Sequence, residues 1–148
     1  MLLPSLQYLF LRDLDKLKTE IESYSDETKL WKIDKNISNS AGNLCLHLIG
    51  NLNTYIGRTL GNTNYIRERD LEFSKKNIPK EELLHAIETT KKMIQSTLNK
   101  LDETDLEKTY PMEMNYPIKT TYHLLIHLTI HLSYHIGQIN FHRRLLDS

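Results

Sequence analysis

Cysteine is nearly absent. Cys45 is the only one in the chain, which excludes an internal disulfide framework. It stands in Asn43-Leu-Cys-Leu-His-Leu, an apolar context that reads as a small buried hydrophobe. A thiolate ligand beside His47 is less well supported, because residues two apart on a helix point in different directions. No apolar run reaches the roughly 18 residues of a membrane span. The N-terminus lacks the basic n-region and small-residue cleavage site of a secretory signal. A cytoplasmic protein without a membrane partner is expected. Charge of one sign is lacking too: Lys+Arg and Asp+Glu stand at 19 each. Nucleic-acid binders normally show a basic excess or stripe, so no nucleic-acid partner is expected. No internal repeat or low-complexity segment interrupts the 148 residues, which fit one domain over 1–148.

Acidic residues are missing from one long stretch, between Glu113 and Asp147. Within it His123, His127, His131 and His135 recur at every fourth position. On an α-helix such residues share a face one turn apart, yet each step drifts by roughly 40°. The four fan over about 120°, so they do not all converge, whereas two neighbours can. His131 and His135 are the favoured clip. On another helix, only His47 lies in an apolar stripe. Bundles build metal sites from inward residues on facing helices, and a three-histidine site requires neutral imidazoles and leaves positions open for water or substrate. Spacing alone leaves the alternative open that these are hydrogen-bonded or edge histidines. His85 and His142 fit that alternative better, and a histidine near a helix C-terminus also suits the dipole.

The remaining pattern is helical. After Pro4, the residues Leu6, Leu9, Phe10, Leu14, Leu17, Ile21 and Tyr24 recur at threes and fours and predict an amphipathic helix. Residues 26–40 read as a loop holding Trp31 and Ile33. A second helix is expected over about 40–60, with Asn43, His47 and Asn51 as a polar row. Gly50 in its middle costs roughly 1 kcal/mol against Ala, and Gly57 and Gly61 mark a fraying end. Residues 61–79 are charged and without sustained period. They are long enough to run back along a bundle, giving a crossover between parallel second and third helices. Pro79 opens the third helix, whose stripe is Leu84, Ile87, Ile94, Leu98 and Leu101. Prolines in Tyr110-Pro-Met-Glu-Met-Asn-Tyr-Pro117 forbid helix and suggest extended segments or a small hairpin. Thr120 or Thr121 caps the fourth helix. That helix is apolar on more than one side, which calls for cover by a second copy of the chain or by loop 102–119. The fold class is all-α, a bundle of four long helices.

Familiar catalytic motifs are incomplete. His131-Leu-Ser-Tyr-His135 has the zincin spacing without the Glu that would serve as base. No acid accompanies these histidines in sequence, which speaks against a ferritin-like carboxylate site.

Asn43-Leu-Cys-Leu-His47-Leu-Ile-Gly-Asn51-Leu together with His131-Leu-Ser-Tyr-His135-Ile-Gly-Gln138-Ile resembles the DinB/YfiT-like family, in particular its DUF1572 branch. The likeness covers almost the whole chain, including the long second crossover and the C-terminal Phe-His-Arg-Arg-Leu-Leu. The resemblance implies a four-helix bundle of up-down-down-up topology, often a homodimer, binding a divalent metal such as zinc or nickel through three histidines. Carried over, the ligands are His47, His131 and His135. His127 stays outside this set, as a cavity-lining or hydrogen-bonding neighbour. Asn51 and Gln138, each one turn from a ligand, are candidates for orienting a ligand's free N–H or a bound water. Many relatives have Arg where Ile136 stands here, and this departure weakens any expectation of an anionic substrate.

The family includes S-transferases that use low-molecular-weight thiols, and metal hydrolases. An open tris-His ion lowers the pKa of bound water or stabilises a thiolate. The expected function is a metal-dependent thiol transferase acting on an electrophilic small molecule. A hydrolase ranks lower for want of a carboxylate base. The alternative from another class is a non-catalytic metal-binding stress-response protein.

Overall fold

The apolar periodicities become helices. The computed structural model describes residues 1–115 and 117–148, and no strand occurs among them. The first periodic run forms α1, Leu2–Glu22, with Leu6, Phe10, Leu14, Leu17 and Ile21 buried along one face. The 26–40 stretch carries a 3-10 turn, Glu27–Trp31, capped by the Asp26 side chain. Ser40 caps α2, Ala41–Leu52, by accepting from the Asn43 N–H. The α2 helix does not fray at Gly57. It continues through a π-type stretch, Asn53–Arg58, and a last turn, Thr59–Gly61. It ends where Asn62 takes a left-handed conformation, φ 52°, as Asn tolerates at helix ends.

Two further helices lie where none was expected. The crossover contains α3, Arg69–Ser74, too short to show a period in a charged sequence. The 102–119 loop contains α5, Glu103–Glu107, started by a capping box between Asp102 and Asp105. Between them runs α4, Lys80–Asn99, with Glu81 and Glu82 in its first turn. Its inward residue at the start is Leu83, at 1% exposure, rather than the expected Leu84, which is only partly buried. The Tyr110–Pro117 stretch includes Tyr116, which lies outside the described residues. On either side of the stretch Thr109 and Thr120 form an isolated antiparallel bridge. Thr120 then caps α6, Thr121–Leu146, through the His123 N–H.

Helix α1 packs on α4 and α6, and α2 packs on α3, α4 and α6. Early residues of α1 meet late residues of α4, as in Gln7 with Asn99 at 2.8 Å, and late residues of α1 meet earlier ones of α4, as in Lys18 with Glu88 at 3.1 Å. Late residues of α1 meet late residues of α6: Glu20 accepts from Asn140 and Arg143. Along α2 and α4 the order runs together, with Asn53 donating to Thr90 at 2.9 Å and Gly57 lying against Met93. The core between them is aliphatic, with Leu48, Leu52, Ile56, Ile87, Ile94, Leu98, Leu124 and Leu128 at 0–1% exposure. Each such side chain contributes on the order of 1.5–3 kcal/mol by leaving water. Cys45 is buried there, and burial pushes its thiol up to about 12. No helix is long and apolar enough to cross a membrane among the described residues.

Candidate metal centre

The polar row of α2 faces the crossover. Asn43 donates to the carbonyls of Glu72 and Lys75 at 2.9 and 2.8 Å, while its side-chain oxygen accepts from Ser40 and Lys76. This latch holds α3 against α2. One turn further along α2, His47 is buried, and α6 brings half-buried His131 and His135 toward it. His47 Nε2 lies 3.2 Å from His131 Nε2, which lies 3.1 Å from His135 Nε2. The three form one cluster whose nitrogens lie within 4.8 Å of one another, and no fourth His, Cys, Asp or Glu joins it among the described residues.

The outer nitrogens of two rings are committed. His47 Nδ1–H donates to Glu72 Oε1 at 3.1 Å, and His135 Nδ1–H donates to Gln138 Oε1 at 2.6 Å. Neutral rings holding those protons turn their Nε2 lone pairs inward. Burial, with His135 and His47 close by, pushes His131 down to about 3, and burial also lowers His135. Neutral imidazoles are the form that ligates metal. Nitrogens at about 2.0–2.1 Å from a tetrahedral ion would be about 3.3 Å apart, close to the spacing found. The three residues therefore fit a divalent ion.

Glu72 is the residue that spacing did not reveal. No acid stands near these histidines in sequence, yet its carboxylate is buried beside His47, contrary to the expectation drawn from the acid-free stretch. Arg67 forks onto it, with Nε to Oε2 at 2.8 Å and an Nη to Oε1 at 3.0 Å. Burial alone would raise the Glu72 carboxyl; the hydrogen bonds from His47 and Arg67 outweigh it and hold the pKa below the usual carboxylate value. The only trace of this in the sequence is an Arg-x-x-x-x-Glu pair in the crossover, which carries no signal by itself.

The other expected residues divide. Gln138 accepts from His135 Nδ1 within one turn of α6. Asn51 is buried, but its side-chain oxygen bonds to none of the three histidines and, like His131 Nδ1, lacks a partner among the described residues. His127 lies beside the site, its ring 6.5 Å from that of His131, and is not in the cluster. His123 and His85 point outward, the first exposed and the second also exposed. His142 is structural: its Nε2–H donates to the Lys32 carbonyl at 2.8 Å, and its Nδ1 accepts from the Tyr24 hydroxyl at 2.7 Å.

The family model described as "Protein of unknown function (DUF1572)" matches residues 7–148. No curated protein matches the chain.

Proposed function

The chain belongs to the DUF1572 family, and on that premise we propose that it is a DinB-like, divalent-metal-binding protein. In this reading it is an enzyme of the low-molecular-weight-thiol S-transferase type, built on an open tris-His site. The observation that carries the reading is the convergence of three imidazole Nε2 atoms, those of His47 and His135 lying 3.2 and 3.1 Å from that of His131. Three lone pairs facing one another repel unless a cation sits among them, and a ring proton on His131 could satisfy only one of the two partners. Zinc or nickel suits an all-imidazole set.

His47, His131 and His135 would hold the ion, and a bound ion would stabilise a thiolate or acidify water there. The chain's own part is to orient. Glu72, anchored by Arg67, and Gln138 fix the ring planes of His47 and His135, which sharpens a ligand set's affinity. The partial exposure of His131 and His135 favours an accessible ion over a closed structural one, and so supports the enzyme above the non-catalytic alternative. Glu72 does not favour a hydrolase, because both its oxygens are already engaged by His47 and Arg67.

The fold reading is a single domain of up-down-down-up topology, supported by the order in which α1, α2, α4 and α6 meet. A homodimer belongs to the same proposal, with a second copy covering the exposed Ile130 and Tyr134 of α6, at 64% and 62% exposure. The deciding experiment is elemental mass spectrometry of tag-free protein. About one equivalent of metal in the wild type, lost in His47→Ala, His131→Ala and His135→Ala but kept in His85→Ala, is expected. Equal occupancy in all variants would reject the ligand assignment.

A further inference from the structure

The crossover that carries Glu72 has little else to hold it down. Over residues 62–79, between the end of α2 and the start of α4, Glu72 is the one buried side chain among the described residues. Ile78, at the far end, is the apolar side chain of this stretch that packs on the core, and Ile66 stands 74% exposed. Segments with so few buried apolar contacts open at the low end of a protein's range of local stability.

What fixes α3 within the crossover is largely polar and converges on two residues of α2. Asn43 donates to the Glu72 and Lys75 carbonyls. His47 meets two neighbouring residues of α3 at once. Its Nδ1–H donates to the Glu72 carboxylate at 3.1 Å, and the Phe73 ring lies against it with centroids 5.0 Å apart. Arg67, also in the crossover, completes the carboxylate at 2.8 Å. One of the two residues on which α3 rests is therefore one of the three that converge on the candidate metal centre.

That shared residue joins two events. A cation on His47 Nε2 would draw electron density from the ring and make its Nδ1–H a stronger donor to the carboxylate. It would also hold the ring in the orientation that Glu72 and Phe73 meet. By linkage, a docked crossover then favours the ion by the factor by which the ion favours docking.

We infer that the crossover is a metal-responsive latch: α3 docks tightly when the tris-His site is filled and loosens when it is empty. The Glu72–His47 hydrogen bond is the coupling. The inference rests on the metal-site reading above and adds a regulation to it, because a segment that supplies no ligand changes its stability with occupancy of the site.

The test is backbone hydrogen exchange of metal-free protein and of protein holding one equivalent of zinc. The internal control is α5, Glu103–Glu107, a short helix of the other long loop that carries none of the three histidines. Zinc is expected to slow the α3 amides about fivefold or more, the lower end of common coupling factors, and the α5 amides less than twofold. Glu72→Gln, brought to the same zinc stoichiometry, should cut the effect on α3 to less than twofold. Slowing of α3 no greater than that of α5, in protein that holds its zinc, overturns the latch and leaves the metal site standing. A full zinc effect in Glu72→Gln overturns it too, since the coupling would not run through that contact. Failure to take up zinc removes the metal-site reading and this inference with it.

Discussion

The Glu72 carboxylate occupies the space where a side chain at position 50 would begin: a Cβ placed on Gly50 would lie 1.9 Å from Glu72 Oε2. Gly50 stands in the middle of α2, three residues past His47. A glycine there weakens the helix, and what it allows is the approach of a carboxylate from α3 to the His47 ring. Helix propensity is given up for the orientation of one imidazole.

Gly50→Ala should therefore invert the usual rule. In an ordinary helix it would add about 1 kcal/mol of stability. Here the methyl group meets a carboxylate that Arg67 and His47 both hold in place, and overpacking of this kind costs roughly 1–3 kcal/mol. Thermal unfolding followed by circular dichroism should show a lowered Tm, together with weaker zinc binding. A raised Tm with unchanged zinc binding would mean that Glu72 does not pack against α2.

Glu72→Gln keeps the shape and removes the charge that accepts the His47 proton. Loss of such a supporting partner typically costs about 10–100-fold in metal affinity. Competition for zinc against a chromogenic chelator measures it. Affinity equal to that of the wild type would show that the carboxylate plays no part in preparing His47.

The buried His142 makes the metal-free protein sensitive to acid. Burial lowers its pKa from the ordinary 6.5, so the folded ring stays neutral where the unfolded one is protonated. Below about pH 6.5 the unfolded state thus binds more protons, and stability falls as pH drops toward the folded value. His131, pushed down to about 3, acts in the same direction. Urea unfolding midpoints should decline from pH 7.5 to pH 5. The folded protein at pH 6 should still show the neutral His142 tautomer with its proton on Nε2 in nitrogen-15 spectra. A flat or rising midpoint would contradict the buried neutral rings.

Exposed Ile130 and Tyr134 sit one turn apart on α6. If a second copy covers them, Ile130→Lys places a charge in an apolar contact and should shift the protein to monomer at micromolar concentration. Light scattering after size exclusion reads the mass directly. A wild-type monomer under the same conditions would remove the homodimer proposal.

The legible part of this protein was its periodic part. The stripe of α1 and most of that of α4 could be read directly, because 3.6 residues per turn tie side-chain direction to position, and Thr120 was one of two cap candidates for α6. The same geometry singled out His131 and His135, one turn apart. The short helices α3 and α5 escaped, since five or six residues hold too few turns to show a stripe. Leu83 was passed over for Leu84 because an apolar pair leaves the phase of the stripe undecided by one residue.

What the sequence by itself determined was thus which residues share a helix face, and with it two of the three histidines of the cluster. Only the tertiary structure decided the rest. His47 meets His131 across 84 residues and Glu72 across 25. Contacts of that span follow from how the crossover is latched by Asn43 and admitted by Gly50. They arise from packing between elements, which local periodicity does not encode.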